Sequence, residues 1–209
     1  MLNTVCLEII RRPSGDIFTE TFSKETFSKE TFSKKTFSKK TLKNSVDILE
    51  KIKANILLDY HGVYDTLSKE TITDISRSVE CVVISYVGRQ HYEQTSKILT
   101  EEVTLGNIKA AVLVFERGTK NKKNSFTIPG SKAWVCDNLN LDKKSFFVDD
   151  SEDHIKSTQS LKIKGLSCVL VNKSAEESVK CCVGSLVSDQ LIKKVIDSGD
   201  FWEFFSVQL

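Results

Sequence analysis

The sequence predicts an α/β fold, a doubly wound and mostly parallel sheet, behind a low-complexity N-terminal tail. Three observations carry this. Apolar bursts rich in Val, Ile and Leu recur from about residue 54 onward, as strands covered on both faces require. Polar stretches of helical length separate them, and that alternation marks βαβ units. Upstream, residues 21–40 are four copies of a pentamer, TFSKE, TFSKE, TFSKK and TFSKK, a pattern unlike the rest of the chain.

The chain begins MLNTVCLEIIRRPSGD. Its apolar stretch is too short, and its charges lie on the wrong side, for a signal peptide. In the repeats the phenylalanines fall at Phe22, Phe27, Phe32 and Phe37. Five residues of helix advance about 500°, so each Phe is turned by about 140° from the last. On a strand an odd period throws alternate Phe to opposite faces. Neither geometry gathers them into one buried stripe, and the period is too short for a solenoid. Residues 1–44 are therefore expected to lie outside the core. Evenly spaced Phe and Lys suit a multivalent sticker for a partner, and the serines suit phosphorylation; a tolerated repeat expansion is the simpler reading of the pattern.

The domain is expected over residues 45–209. NSVDILEKIKANI reads as a lead-in helix with Ser45 as its N-cap. Strands are expected at NILLDY, CVVISYV, AAVLVFE, SFFVDD and SCVLVN. Helices are expected at TLSKETITDISRSV, RQHYEQTSKILTEEV, SKAWVCDNLNL and SEDHIKSTQSLKIKG, and at the end SDQLIKKVIDSGDFWEFF.

Bulk properties narrow the class. A chain of 209 residues holds one ordinary domain and an appendage. Residues 1–53 carry 11 Lys+Arg against 7 Asp+Glu, a net +4, and the remainder 19 against 21, a net −2. A mildly acidic domain does not indicate nucleic acid. No run approaches the length of a membrane span. The six cysteines show no CxxC pair, and Cys81 and Cys168 sit in apolar runs where a thiol acts as a small hydrophobe. A soluble cytoplasmic protein is the expectation.

Ligand sites of such sheets lie at the carboxyl ends of the strands. Asp59 ends the first expected strand, Ser85 the second, and Asp149 and Asp150 a later one. A carboxylate at the edge of a core needs partners or a task, because burying it unpaired is costly.

With those residues named, a resemblance becomes specific. ILLDYHGVYDTL resembles the first motif of the haloacid dehalogenase-like (HAD) superfamily, a strand followed by DxDG[TV]. VVIS resembles the second motif, FFVDDSEDHI the fourth, and KGLSCVLVNK the glycine and strand that follow. Lys132 has the spacing of the family's lysine, with Lys120, Lys122 and Lys123 as alternatives. The resemblance spans residues 54 to about 173. It implies a Rossmannoid HAD-like core and phosphoryl transfer through an aspartyl-phosphate.

By that resemblance Asp59 is the nucleophile, Ser85 bonds a phosphoryl oxygen, and Lys132 supplies positive charge. The implied cofactor is Mg²⁺, held by Asp59, the backbone carbonyl of His61 and Asp150, with Asp149 alongside. His61 departs from the motif, which has a second Asp there as acid and base. A histidine can carry that proton, or it can mark a chain that lost catalysis. His154 is close enough in sequence to the acids to contribute. Only 26 positions separate Asp59 from Ser85, too few for a helical cap domain, so an open site is implied. The expected partner is a phosphorylated small molecule or macromolecule, not a membrane. Arg117, Lys120, Lys122 and Lys123 lie in a loop that would attract such an anion or simply face solvent. The alternative is a catalytically silent HAD-fold protein whose repeat tail binds a partner. A receiver-type domain fits less well, because it places its acid pair at the first strand.

Overall fold

The computed structural model describes residues 4–11, 18–21, 39–88, 90–117 and 131–198. In chain order these form β1 (Thr4–Arg11), β2 (Phe18–Thr21), α1 (Lys39–Leu49) and β3 (Lys53–Asp59). Then come α2 (Lys69–Ser78), β4 (Cys81–Tyr86), α3 (Tyr92–Leu105) and β5 (Ala110–Arg117). The last five are α4 (Lys132–Asn138), β6 (Asn140–Asp149), α5 (Glu152–Ser160), β7 (Leu166–Leu170) and α6 (Ala175–Ser198).

One sheet runs in the order β2-β1-β5-β4-β3-β6-β7. The last five are parallel neighbours, and β1 and β2 add antiparallel at the β5 edge. The chain starts the parallel part at β3, winds outward through β4 to β5, then returns to the other side of β3 for β6 and β7. The winding therefore reverses between β3 and β6, which is where open α/β sheets form their ligand crevice.

Strand alternation sends successive side chains to opposite faces. Ile56 and Leu58 of β3 pack with Ile75 of α2, Leu99 of α3 and Val179 of α6. A register shift between Ala54 and Ile56 breaks the alternation, so Ala54 joins Leu57 on the other face, with Leu49 of α1, Val135 of α4 and Ile155 of α5. Among the described residues three helices thus cover each face, and the expected doubly wound, mostly parallel sheet is present. The tie between α6 and α2 is polar: Ser68, the N-cap of α2, donates its N–H to Glu176 at 3.0 Å and its hydroxyl at 2.8 Å. The Thr71 hydroxyl first, then the Ser68 N–H, Lys180 and the Ser68 hydroxyl, hold the Glu176 carboxyl down to about 2.

Four readings need correction. Residues 1–44 do not all lie outside the core: β1 pairs with the whole of β5, and Leu7, Ile9 and Ile10 are fully buried. The pentamer repeats from residue 22 to 38 fall outside the described residues. Ser45 is not an N-cap, because α1 begins at Lys39 and buries Ser45 in its interior. The segment NLNL, expected to finish a helix, instead leads into β6, which begins at Asn140. The final helix starts at Ala175, well before the expected Ser188.

Among the described residues no helix is long and apolar enough to cross a membrane. Cys81, Cys136, Cys168, Cys181 and Cys182 are free thiols.

Candidate functional site

β3 and β6 end side by side, with Leu58 paired to Val148. The next residue on each strand is an aspartate, so Asp59 and Asp149 flank the point where the winding reverses. Both are buried, at 5% and 0% exposure. Between them lies the ammonium of Lys132, itself 3% exposed. Its Nζ is 2.7 Å from Asp59 Oδ1 and donates to Asp149 Oδ2 at 2.9 Å. Lys132 reaches this place because it is the first residue of α4, whose N-cap Ser131 accepts from the Trp134 amide.

The two carboxylates are held differently. Asp59 Oδ1 also accepts from the Tyr60 N–H at 2.7 Å. Among the described residues, no hydrogen bond occupies its Oδ2. Asp149 is saturated: Oδ1 accepts from the Ser151 N–H at 2.8 Å, and His154 Nδ1 lies 3.1 Å from Oδ2 and 3.3 Å from Oδ1. The electrostatics follow this difference. Burial pushes the Asp59 carboxyl up to about 6, with Lys132 opposing and Asp149 adding to the rise. Burial would raise Asp149 as well, but the His154 bond and the Lys132 charge outweigh it and hold that carboxyl below its ordinary value. Asp149 is the fixed anion of the pair, and Asp59 is the one with an uncommitted oxygen.

Ser85 sits on β4, one residue beyond Ile84, the neighbour of Asp59 across the strands. Its side chain is fully buried, and among the described residues its hydroxyl has no hydrogen-bond partner. An unpaired buried hydroxyl costs about 1–3 kcal/mol, which a ligand oxygen would offset.

The loop after β3 is pinned. Asp65 accepts from the Gly62 N–H at 2.8 Å, and its own N–H donates to Tyr60 O at 3.0 Å. Tyr64 donates to Glu102 of α3 at 2.5 Å. Gly62 has φ of 75°, and a Cβ there would lie 2.3 Å from Asp150 Oδ2. Only glycine lets the exposed Asp150 carboxylate come so close to this loop.

Of the residues singled out from sequence, Asp59, Lys132 and Asp149 come together in one buried cluster. Asp150 stands outside that cluster, against Gly62. His61 is also outside: its side chain is 50% exposed, and Nδ1 lies 3.6 Å from Asp65 Oδ2. His154 takes a larger part than its sequence position promised. A nitrogen of its ring and one oxygen each from Asp59 and Asp149 all lie within 4.8 Å of one another. Lys120, Lys122 and Lys123 lie outside the described residues, as does the side chain of Arg117.

The donor set fits a hard divalent cation. Asp59 and Asp150 offer carboxylate oxygens, the donor type Mg²⁺ prefers. A separate cavity of about 570 Å³ opens at the other end of the strands, lined by Lys53, Asn55, Arg77, Cys81, Lys109 and Asp142. Two of its cations are already paired, Lys53 with Asp142 at 3.3 Å and Lys109 with Glu80 at 3.1 Å.

No family model, curated protein or solved structure matches the chain.

Proposed function

We propose that the protein is a Mg²⁺-dependent phosphatase of the HAD type, acting through an aspartyl-phosphate on Asp59. The observation that carries this reading is the buried Asp59–Lys132–Asp149 cluster at the point where the sheet reverses its winding. An acid, a cation and a second acid are buried together at some cost, and phosphoryl transfer gives that arrangement a use.

Each side chain has a role in this reading. Asp59 attacks phosphorus with Oδ2, which accepts no hydrogen bond among the described residues, while Lys132 and the Tyr60 N–H hold Oδ1. Lys132 balances the charge of the incoming phosphoryl oxygens, and Asp149 fixes Lys132 in place. Ser85 donates its unpaired hydroxyl to a phosphoryl oxygen. Such prearranged donors and charges supply most of the rate in this chemistry. Mg²⁺, when bound by Asp59, Asp150 and the carbonyl of His61, would neutralise the phosphate as the carboxylate approaches. Proton transfer falls to a histidine: His61 holds the position where the resemblance expects the acid, and His154 lies in the cluster itself.

The site is open in this reading. Between β3 and β4 the chain makes a short 3-10 turn (Tyr64–Thr66) and α2, with no inserted domain. An uncapped site admits bulky or macromolecular phosphate esters.

A catalytically silent binding protein is the second reading, favoured by one observation. His61, where the family's motif has its acid, is half-exposed and turned to Asp65. Hydrolysis of an aryl phosphate with and without Mg²⁺ separates the two. A phosphatase turns over only with the metal and loses turnover in Asp59→Asn; a silent protein does neither.

A further inference from the structure

We infer that the cavity at the other end of the strands is a second binding site, which takes a small organic anion. It opens at the start of β3 and β4. Asp59 closes the far end of β3, so this site stands apart from the cluster around Asp59 and does not depend on the phosphatase reading.

Asn55 is the residue that points to a ligand. It falls where the pairing of β3 with β6 slips, after Ala54 opposite Leu141 and before Ile56 opposite Phe146. Irregularities of this kind re-aim a side chain, and Asn55 lines the cavity while only 4% exposed. Its carboxamide oxygen accepts from the Glu80 N–H at 2.9 Å. That bond fixes which way the amide is turned and leaves the NH₂ as its other end. Among the described residues the NH₂ has no hydrogen-bond partner. A buried donor left unmade is costly, and a ligand oxygen in the cavity would satisfy it.

The rest of the wall sets the chemistry of that ligand. Cys81, Val103 and Ile108 line the cavity and are buried, a surface on which an apolar body can pack. Lys53 pairs with Asp142 and Lys109 with Glu80, so those charges cancel. Arg77 also lines the cavity and makes no ion pair among the described residues. A cation in the last turn of α2 suits the helix dipole as well, so Arg77 alone would not mark a site. Together with the Asn55 NH₂ it adds a second donor and one uncancelled positive charge. The guanidinium fork matches a carboxylate or a phosphate, and a single net charge matches a monoanion. A volume of about 570 Å³ lies within the ~300–1,000 Å³ of small-molecule sites, far more than a bare oxyanion fills. The ligand is therefore an organic monoanion, with its oxygens toward Asn55 and Arg77 and an apolar body against Val103 and Ile108.

The test follows the side-chain NH₂ signals of Asn55 by NMR in the isotope-labelled full-length protein. Asn55→Asp assigns those signals by their loss, and its carboxylate can still accept from the Glu80 N–H. The probes are phenylacetate, the uncharged phenylacetamide with the same body, and acetate with the charge alone. The Asn55 signals should move saturably with phenylacetate, which should bind about tenfold or more tightly than either other probe. Arg77→Gln, an exposed change at the end of α2, should weaken phenylacetate by about tenfold. Phenylacetate should also raise the thermal midpoint of wild type and not that of Asn55→Asp. Asn55 signals that do not move saturably, or equal affinity for phenylacetamide, overturn the site. Affinity unchanged in Arg77→Gln overturns the assignment of its charge to the ligand. Acetate binding as tightly as phenylacetate overturns the organic anion and leaves an adventitious ion only.

Discussion

Lys132 Nζ lies 2.7 Å from Asp59 Oδ1, with both side chains almost wholly withdrawn from water. The same ammonium holds Asp149 at 2.9 Å, so one cation serves two buried anions. Removing a partner from a buried pair leaves an uncompensated charge, at about 3–5 kcal/mol. Lys132→Met should therefore unfold at markedly lower urea than wild type at pH 7. The loss should shrink in acid, where protonated carboxyls no longer need the ammonium. A midpoint within scatter of wild type at pH 7 would refute this account of the cluster.

Asp59 carries the opposite sign. Its carboxyl is raised by burial from 3.8 to about 6 in the folded chain. Its contribution to stability is then full below about pH 4 and is lost as pH rises through about 6. In metal-free protein at pH 7.5, Asp59→Asn should be more stable than wild type by about 1–3 kcal/mol, and the gain should fade toward pH 4. Denaturation midpoints at several pH values check this. A variant less stable than wild type at pH 7.5 contradicts the assignment.

The β1 strand predicts a stability effect far from the site. Ile9 is fully buried and pairs with Val112 of β5. Ile9→Ala should cost about 2–4 kcal/mol, and removing residues 1–11 should cost more, because it uncovers the β5 edge. Thermal unfolding measures both. Midpoints unchanged by either would return β1 to the tail.

Gly62→Ala tests how Asp150 is held. The new Cβ would fall 2.3 Å from Asp150 Oδ2, at a φ of 75° that alanine resists. The loop or Asp150 must shift. If Asp150 is a ligand, the Mg²⁺ concentration giving half-maximal turnover should rise at least as far in Asp150→Asn as in Gly62→Ala. No change in either variant removes Asp150 from the metal site.

The centre of the parallel sheet was legible because β3 and β4 are buried on both faces and so read as continuous apolar runs. Leu57, Leu58, Val82 and Val83 declare themselves without reference to any partner. β1 does not. Its run TVCLEIIR is broken by Glu8, and its partner β5 lies a hundred residues on, so nothing local marks the pairing. α6 was cut short for a related reason. Its first half buries Val179, Cys182 and Leu186, but Ser, Cys and Gly between them blur the helical period. At the site, strand-end position revealed Asp59 and Asp149, and the spacing of the family's lysine revealed Lys132. The role of His154 depends on the direction in which α5 leaves β6, which a linear pattern does not carry. The sole hint was its distance of five residues from Asp149.

The central claim is that Asp59 accepts the phosphoryl group. Borohydride added during turnover of a phosphate ester with Mg²⁺ reduces an aspartyl-phosphate to homoserine, and peptide mass spectrometry locates the change. The account predicts homoserine at position 59 in wild type and none when ester or metal is omitted. Turnover that leaves residue 59 as unmodified aspartate would contradict it.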